Sequence, residues 1–374
     1  MAEALKTFFD EGAVRRIAAM LRTAWSAFPE RRFVAEASEG LGSLELMDRA
    51  RHIKSALHRA LPTDFEHAAN ILVGSLGPGL EQTEGHGMSV FLYLPHVLYV
   101  AEHGLGHFEP AMRLQYELTQ RFTAEFSIRP YLERYPRETL ARLRQWARDP
   151  SVHVRRLVSE GTRPRLPWAP RLRAYQRDPA PVLELLELLK DDPESYVQRS
   201  VANNLNDIGK DHPDLLVATC ERWSRDAPAA RGWIIRHALR SAVKRGDRRA
   251  LALLGFEGSA TLDVTATFKP KRVSIGQSVQ VTLHVANRSS KRQKAMVDLV
   301  VHFIKARGTP RPKVFKGGAV ELAPGAVTTL QKTVSLADLT TRQHYPGTHR
   351  VEALVNGLAA SVGAFTVTLA SREG

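Results

Sequence analysis

The sequence predicts a multidomain chain, α then β, and three observations carry that prediction. From the start to about Phe256, apolar residues return every three or four positions, the period of an amphipathic helix. Within that stretch Asp149–Val158 and Asp192–Val201 match at an offset of 43 residues, a spacing typical of stacked helical pairs of the HEAT and armadillo type. After Gly255 the apolar period shortens to two, the alternation of half-buried strands. Together they give a HEAT-like α-solenoid over residues 1–256 followed by an immunoglobulin-like β-sandwich over residues 257–374.

The helical part reads as short helices in series, broken at Pro29, Gly77-Pro78-Gly79, Pro110, Pro136, Pro150 and Pro179. The apolar run Met88–Pro95 is too short and too interrupted to cross a membrane, and is expected to pack inside the helical array. Each repeat opens on Asp-Pro, where Asp is expected to cap a helix and Pro to suit its first turn. A fainter third copy begins at Arg236–Arg240, with Gly246 opposite Gly209 as a helix-ending glycine. In this alignment Glu160 and Asn203 are equivalent, so stacking places them on one surface with Arg240 further along it.

In the C-terminal part Leu262, Val264, Ala266 and Phe268 alternate, then Val279, Val281, Leu283 and Val285, then Val297, Leu299, Val301 and Phe303. About seven short strands are expected. Two segments, Arg288–Lys294 and Lys305–Lys313, read as loops that carry much of the local positive charge. Solvated surface is the plain reading of such loops, and phosphate contact through Lys291, Arg292, Lys294, Arg307, Arg311 and Lys313 is the functional one.

With 43% hydrophobic residues the 374-residue chain builds an ordinary core, while a formal charge of +14 favours a polyanionic partner. The excess is uneven: residues 258–374 hold 16 Lys and Arg against 6 Asp and Glu. Nucleic acid is the expected partner and membrane is not. Cys220 is the only cysteine, which excludes an intramolecular disulfide and a multi-cysteine zinc site. The acidic, amphipathic start Met1–Lys6 does not resemble a secretion signal, and a cytoplasmic, monomeric protein is expected.

Candidate chemistry lies beside the repeats. Ser159–Trp168 and Asn203–Asp207 put two carboxylates, Glu160 and Asp207, and a tryptophan next to cations. A carboxylate in a basic groove can stabilise a cationic sugar or orient water, and an indole can face a sugar or base. For each there is a plainer reading: Glu160 as a surface ion pair, Asp207 as a cap before a terminating Gly209, Trp168 as a side chain packing down its proline-bounded loop. Arg156 and Arg163 are the nearest phosphate or sugar ligands, although Arg199 aligns with Arg156 and gives that position a repeat-architecture reading. His86, His96, His103 and His107 raise a metal site, but Gly104 and Gly106 weaken the helix that would pair them and no His-Glu-x-x-His pattern occurs. Gly74–Gly79 lacks the ending of a phosphate loop, and no Gly-x-Ser-x-Gly elbow is present.

Thr123–Pro130, Ser159–Trp168 and Ser200–Asp207 resemble the AlkC branch of the AlkC/AlkD DNA alkylation repair glycosylases, and the β-module resembles the C-terminal immunoglobulin-like domain of one AlkC subgroup. The resemblance spans most of residues 1–257. It implies a bacterial, nucleoid-associated monofunctional glycosylase acting on alkylated double-stranded DNA, with no cofactor. The implied substrates are 3-methyladenine and 3-methylcytosine, excised without drawing the base into a deep pocket. Carried onto this sequence, it implies catalytic or lesion-facing roles for Glu125, Glu160, Trp168 and Asp207, and DNA contact for Arg156 and Arg163. Glu125 enters through the resemblance alone. The alternative is a non-enzymatic helical-repeat adaptor that binds nucleic acid or protein.

Overall fold

The computed structural model describes residues 6–256, 261–338 and 343–369. Residues 1–5, which carry the N-terminal reading, and 257–260, where the second domain is expected to open, lie outside the described residues. Helix α1 (Glu11–Ala24) shows why the first part folds as it does: Val14, Ile17, Ala18 and Leu21 share its buried face, and the Asp10 carboxylate caps it by accepting from the Ala13 N–H at 2.7 Å. There follow α2 (Glu30–Ser38), α3 (Leu46–Ala60), α4 (Phe65–Ser75), α5 (Leu94–His103), α6 (Phe108–Thr119), α7 (Ile128–Arg134) and α8 (Pro136–Trp146). Then come α9 (Val152–Gly161), α10 (Arg173–Arg177), α11 (Ala180–Leu189), α12 (Ser195–Asp211), α13 (Pro213–Ser224), α14 (Ala229–Arg245) and α15 (Arg248–Leu253).

The repeat is real, and its opening differs from the expected cap. Asp149-Pro150 and Asp192-Pro193 stand before α9 and α12, whose N-caps are Ser151 and Glu194. Each Asp folds the approach by accepting from the N–H two residues on, at 2.8 and 3.0 Å. The next helical turn then ties the approach down. Arg155 donates to Asp149 O and Pro150 O, and its repeat equivalent Gln198 donates to Asp192 O and Pro193 O. Arg155 also pairs with Asp192 at 2.6 Å, which links one repeat to the next.

Three further expectations are corrected. Pro110 is not a break: it is the third residue of α6, where its missing N–H has no helical partner to lose. Gly209 does not end a helix: α12 continues to Asp211, and Gly209 lies against α13, where a Cβ would stand 3.0 Å from Leu216 Cβ. Gly246, in contrast, has φ +80° and does end α14. Met88–Pro95 splits in two, since Leu94 and Pro95 are buried but Ser89–Tyr93 forms a half-buried 3₁₀ turn.

Eight strands, among the described residues, form the C-terminal module: β1 (Leu262–Lys269), β2 (Arg272–Ser274), β3 (Ser278–Asn287), β4 (Gln293–Ile304), β5 (Pro310–Leu322), β6 (Val327–Ser335), β7 (Gly347–Val355) and β8 (Leu358–Thr368). A three-stranded sheet in order β1-β3-β6 faces a five-stranded sheet in order β2-β8-β7-β4-β5. The alternating residues of β3 and β4 fill the core between them, and those of β1 pack against it. The two charged segments are shorter as loops than expected. The β4–β5 turn closes over Lys305–Thr309 and pairing resumes at Ile304↔Pro310, which places Arg311 and Lys313 on edge strand β5; Lys294 belongs to β4.

The change from helix to strand falls between Leu253 and Leu262, but the chain divides into its two compact units earlier, between Ala238 and Leu239, inside α14. The reason is packing within the second unit. Lys316 Nζ bridges Asp298 Oδ2 at 2.5 Å and Lys244 O at 2.8 Å, and Gly246 lies against Gly357. The last turns of α14 and all of α15 therefore belong to the same compact unit as the β-strands.

Candidate active site

A cleft of about 470 Å³ opens in the first unit between the turn before α7, the inner helices α9 and α12, and the loop after α9. Thr123, Glu125, Arg156 and Glu160 line its polar part, and Phe91 and Trp168 are among its apolar walls. Ser89–Tyr93 is half-buried because Val90 and Phe91 wall this cleft instead of entering a core.

The polar residues form a ladder of alternating charge. Glu125 Oε2 pairs with Arg156, which lies 3.5 Å from Glu160 Oε1. Arg163 joins Glu160 at 2.6 Å to Asp207 at 2.9 Å, and Lys210 closes the series on the other oxygen of Asp207 at 2.8 Å. The repeat geometry builds it: Arg156, Glu160 and Arg163 recur at helical spacing along one face of α9 and its exit, while Asp207 comes from the stacked α12. Three acids face three cations, so the ladder is neutral although the chain carries +14.

Glu160 is held in its ionised form by donors. Burial alone would favour protonated Glu160, but Arg156, Arg163 and the Ser200 hydroxyl at 2.6 Å outweigh it and lower its pKa. Burial likewise works against charged Arg156, and Glu125 and Glu160 reverse it, so its pKa is raised. The Arg156 guanidinium also lies 5.2 Å over the Tyr196 ring. Glu125 is oriented by Thr123, whose hydroxyl donates to Glu125 Oε2 at 2.9 Å and accepts from the Glu125 N–H at 3.2 Å.

The sequence-derived candidates thus separate. Glu125, Glu160, Trp168, Arg156 and Arg163 come together on the cleft, whereas Asp207 stands behind Arg163, off the cleft wall and 2% exposed. Asp207 is neither a helix end nor a cap. Trp168 is not packed down: its side chain is 64% exposed on the rim and its backbone has φ +64°. Arg156 and Arg163 are committed to carboxylates. Lys291, Arg292, Lys294, Arg307, Arg311 and Lys313 lie in the other unit, exposed on the β-module.

Sequence reasoning missed Thr123, Tyr196 and Ser200; the three asparagines of 203–207 are unusual for a core helix and suggest a bond to backbone or a base edge, and Asn204 does donate to Ser159 O at 2.7 Å. The repeat contained the signal, because Ser200 and Asn204 occupy the places of Leu157 and Gly161, and a polar residue at a core place of a repeat needs a partner. The four histidines do not converge. His86 borders the cleft, His96 is buried with its pKa lowered to about 4 by desolvation, His103 stacks on His58 at 3.8 Å, and His107 stacks on Phe65. Among the described residues no group of three or more His, Cys, Asp or Glu is placed to hold a metal ion.

This arrangement, a helical-repeat cleft lined with carboxylates and joined to an immunoglobulin-like module, matches known proteins over nearly its whole length. Residues 122–241 match the family described as DNA alkylation repair enzyme, and residues 263–369 match the C-terminal Ig-like domain of the uncharacterised protein YhaZ. YhaZ of Bacillus subtilis (strain 168) is 36% identical over 357 residues, covering 94% of this chain and 96% of the relative. The Pseudomonas fluorescens alkylpurine DNA glycosylase AlkC, solved bound to DNA containing an abasic site analog, is 35% identical with a TM-score of 0.81, covering 97% of this chain and 99% of that one. The chain belongs to the AlkC branch of the DNA alkylation repair enzymes, in the subgroup with a C-terminal immunoglobulin-like domain.

Proposed function

We propose that this chain is a monofunctional DNA glycosylase that hydrolyses the N-glycosidic bond of small N3-alkylated bases, 3-methyladenine and 3-methylcytosine, in duplex DNA. The observation that carries the proposal is Glu160, buried on the cleft wall yet ionised between Arg156 and Arg163. An N3-alkylated base is already cationic, so it departs with the bonding electron pair as a neutral molecule and needs no proton from the protein. The charge left behind is oxocarbenium character on the deoxyribose. Glu125 and Glu160 stabilise it by charge, and the exposed Trp168 face does so by cation–π attraction. A water adds to C1′ and loses its proton to a carboxylate or to solvent, leaving an abasic sugar.

Asp207 in this reading is a positioning group that fixes Arg163, and Arg156 and Arg163 pair with the acids, keeping Glu160 ionised, instead of gripping phosphate. Excision without conventional base flipping suits a cleft that is open to solvent. The exposed cations of the β-module would hold the DNA backbone, making that module a clamp. A non-enzymatic adaptor has no use for buried, ionised acids facing a polyanion.

The test is release of free base from duplexes carrying 3-methyladenine, 3-methylcytosine or 7-methylguanine, with chelator present and Glu160→Gln alongside. Release of the N3-methylated bases that survives chelator and falls in the variant supports the proposal. No release from any substrate overturns it in favour of the adaptor.

A further inference from the structure

Helix α9 ends inside the protein immediately after Glu160, so the carbonyls of its last turn need buried partners. Thr162 Oγ1 donates to Val158 O at 2.8 Å and Ser159 O at 3.0 Å, Asn204 Nδ2 donates to Ser159 O at 2.7 Å, and the Arg163 N–H reaches Glu160 O at 3.3 Å. The last carbonyl, Gly161 O, is taken by Arg129 Nη1 at 3.1 Å. That guanidinium goes on to Arg163 O at 2.8 Å and, through Nη2, to Pro170 O at 2.5 Å. Arg129 is 4% exposed, no carboxylate is paired with it among the described residues, and burial lowers its pKa to about 10. Its three hydrogen bonds, all from Nη1 and Nη2, go to one loop, 161–170, the loop that carries Arg163 and Trp168, while its buried Nε–H has no partner among the described residues. The loop has other ties, Arg163 to Glu160 and Asp207 and Arg165 to Asp211, but these are made by its own side chains, and the Arg129 fork holds its backbone carbonyls from beneath while Trp168 stands at positive φ.

We infer that Arg129 is a positioning residue for excision, stapling the Arg163–Trp168 loop so that the indole and the Glu160 carboxylate hold their places on the cleft; this rests on the glycosylase reading above. The molecule holds its own control. Arg49 is similarly buried and donates to Phe9 O, Gly42 O and Leu44 O, a staple of the same kind that does not line the cleft. Lysine in either place keeps the charge but cannot span three carbonyls.

Arg129→Lys is expected to slow single-turnover excision by about 100-fold, the cost of roughly 1 Å of misplacement, while affinity for undamaged duplex stays within about twofold. Arg49→Lys should leave both unchanged. In a Trp168→Ala background, Arg129→Lys should add little, because the two act through one loop. Full additivity there, or an equal effect from Arg49→Lys, overturns the inference. Trypsin cleavage of the native protein at Arg165–Leu166 reads the staple without reference to activity: it should accelerate in Arg129→Lys and not in Arg49→Lys, and an unchanged rate overturns the staple. If the wild-type chain releases no base but this acceleration is seen, the glycosylase reading fails and the staple stands. Should Arg129→Lys and Arg129→Gln both fail to fold, hydrogen exchange on the wild-type chain decides, with the Arg163 and Leu172 amides exchanging only on global unfolding; exchange through local opening overturns the staple.

Discussion

Replacing Glu160 by Gln removes one charge and keeps the shape, and the ladder geometry sets what should follow. A carboxylate roughly 4 Å from a developing sugar cation, in a site of effective dielectric about 20, contributes about 4 kcal/mol. At about 1.4 kcal/mol per decade of rate this is close to a thousandfold, and loss of one aimed electrostatic group in other active sites costs about 100- to 1000-fold. The fold should tolerate the change better than the loss of an isolated buried pair, which costs about 3–5 kcal/mol, because Arg156 keeps Glu125 and Arg163 keeps Asp207. Single-turnover excision of 3-methyladenine should therefore fall by two to three orders of magnitude. Affinity for an abasic-site duplex, read by anisotropy, should change far less. Excision within threefold of wild type by a folded variant would refute the electrostatic argument, and an equal loss of affinity would make Glu160 a binding group.

The acid limb of the pH profile gives an independent reading. The Glu160 pKa is lowered below its ordinary 4.5, so its contribution to stability is complete above that value and is lost as pH falls through the lower folded-state value; excision should stay flat as pH drops from 7 to about 5, and a fall already at pH 6 would contradict it. Trp168→Ala, at a side chain 64% exposed, should leave the melting temperature almost unchanged and still cut the single-turnover rate at least tenfold. Gly357→Ala should lower the melting temperature of the β-module, because φ is +80° and the new Cβ would stand 3.2 Å from the Gly246 carbonyl carbon. Gly276→Ala, with φ +93° and open space around it, isolates the strain from the contact, and equal losses in the two would remove the role given to the Gly246–Gly357 approach.

Much of this was legible because repeats and periods are statements about backbone geometry. The offset between Asp149 and Asp192 locates α9 and α12, and the switch of period after Gly255 locates the strands. What the letters hid were distinctions that one residue type makes in two ways. A glycine that ends a helix and one that lets two helices touch look alike, so Gly209 was read as Gly246 is. A proline that breaks a helix and one in its first turn differ only by what precedes them, which misplaced Pro110. Glu160 and Asp207 stand out in the letters and Glu125 only through the family resemblance, and the pairings stay hidden because Asp207 meets Arg163 across 44 residues and Glu125 meets Arg156 across 31. Trp168 is exposed on a loop whose carbonyls Arg129 binds from a different helix, and no local pattern announces that.

The neutrality of the ladder explains how acids persist in a protein built to meet a polyanion. Unpaired, Glu125 and Glu160 would repel the phosphates flanking a lesion, and burial would favour protonation of Glu160. Paired with Arg156 and Arg163, they would present little net field to the backbone, and Glu160 would stay ionised for the sugar in the proposed reaction. Attraction must then come from elsewhere, and residues 258–374, with 16 cationic against 6 acidic residues, are where the excess lies. The two tasks should separate by salt. Binding releases counterions and should weaken steeply between 50 and 200 mM salt, losing about 0.9 in logarithmic slope for each phosphate contact removed, so Arg307, Arg311 and Lys313 changed together to Ala should flatten that slope by about 3. Buried pairs are screened much less, so the single-turnover rate on saturated enzyme should hardly move over the same range. A slope unaltered by the triple change would deny the β-module its place on DNA, and an excision rate as salt-dependent as binding would place the ladder in solvent, where its geometry says it is not.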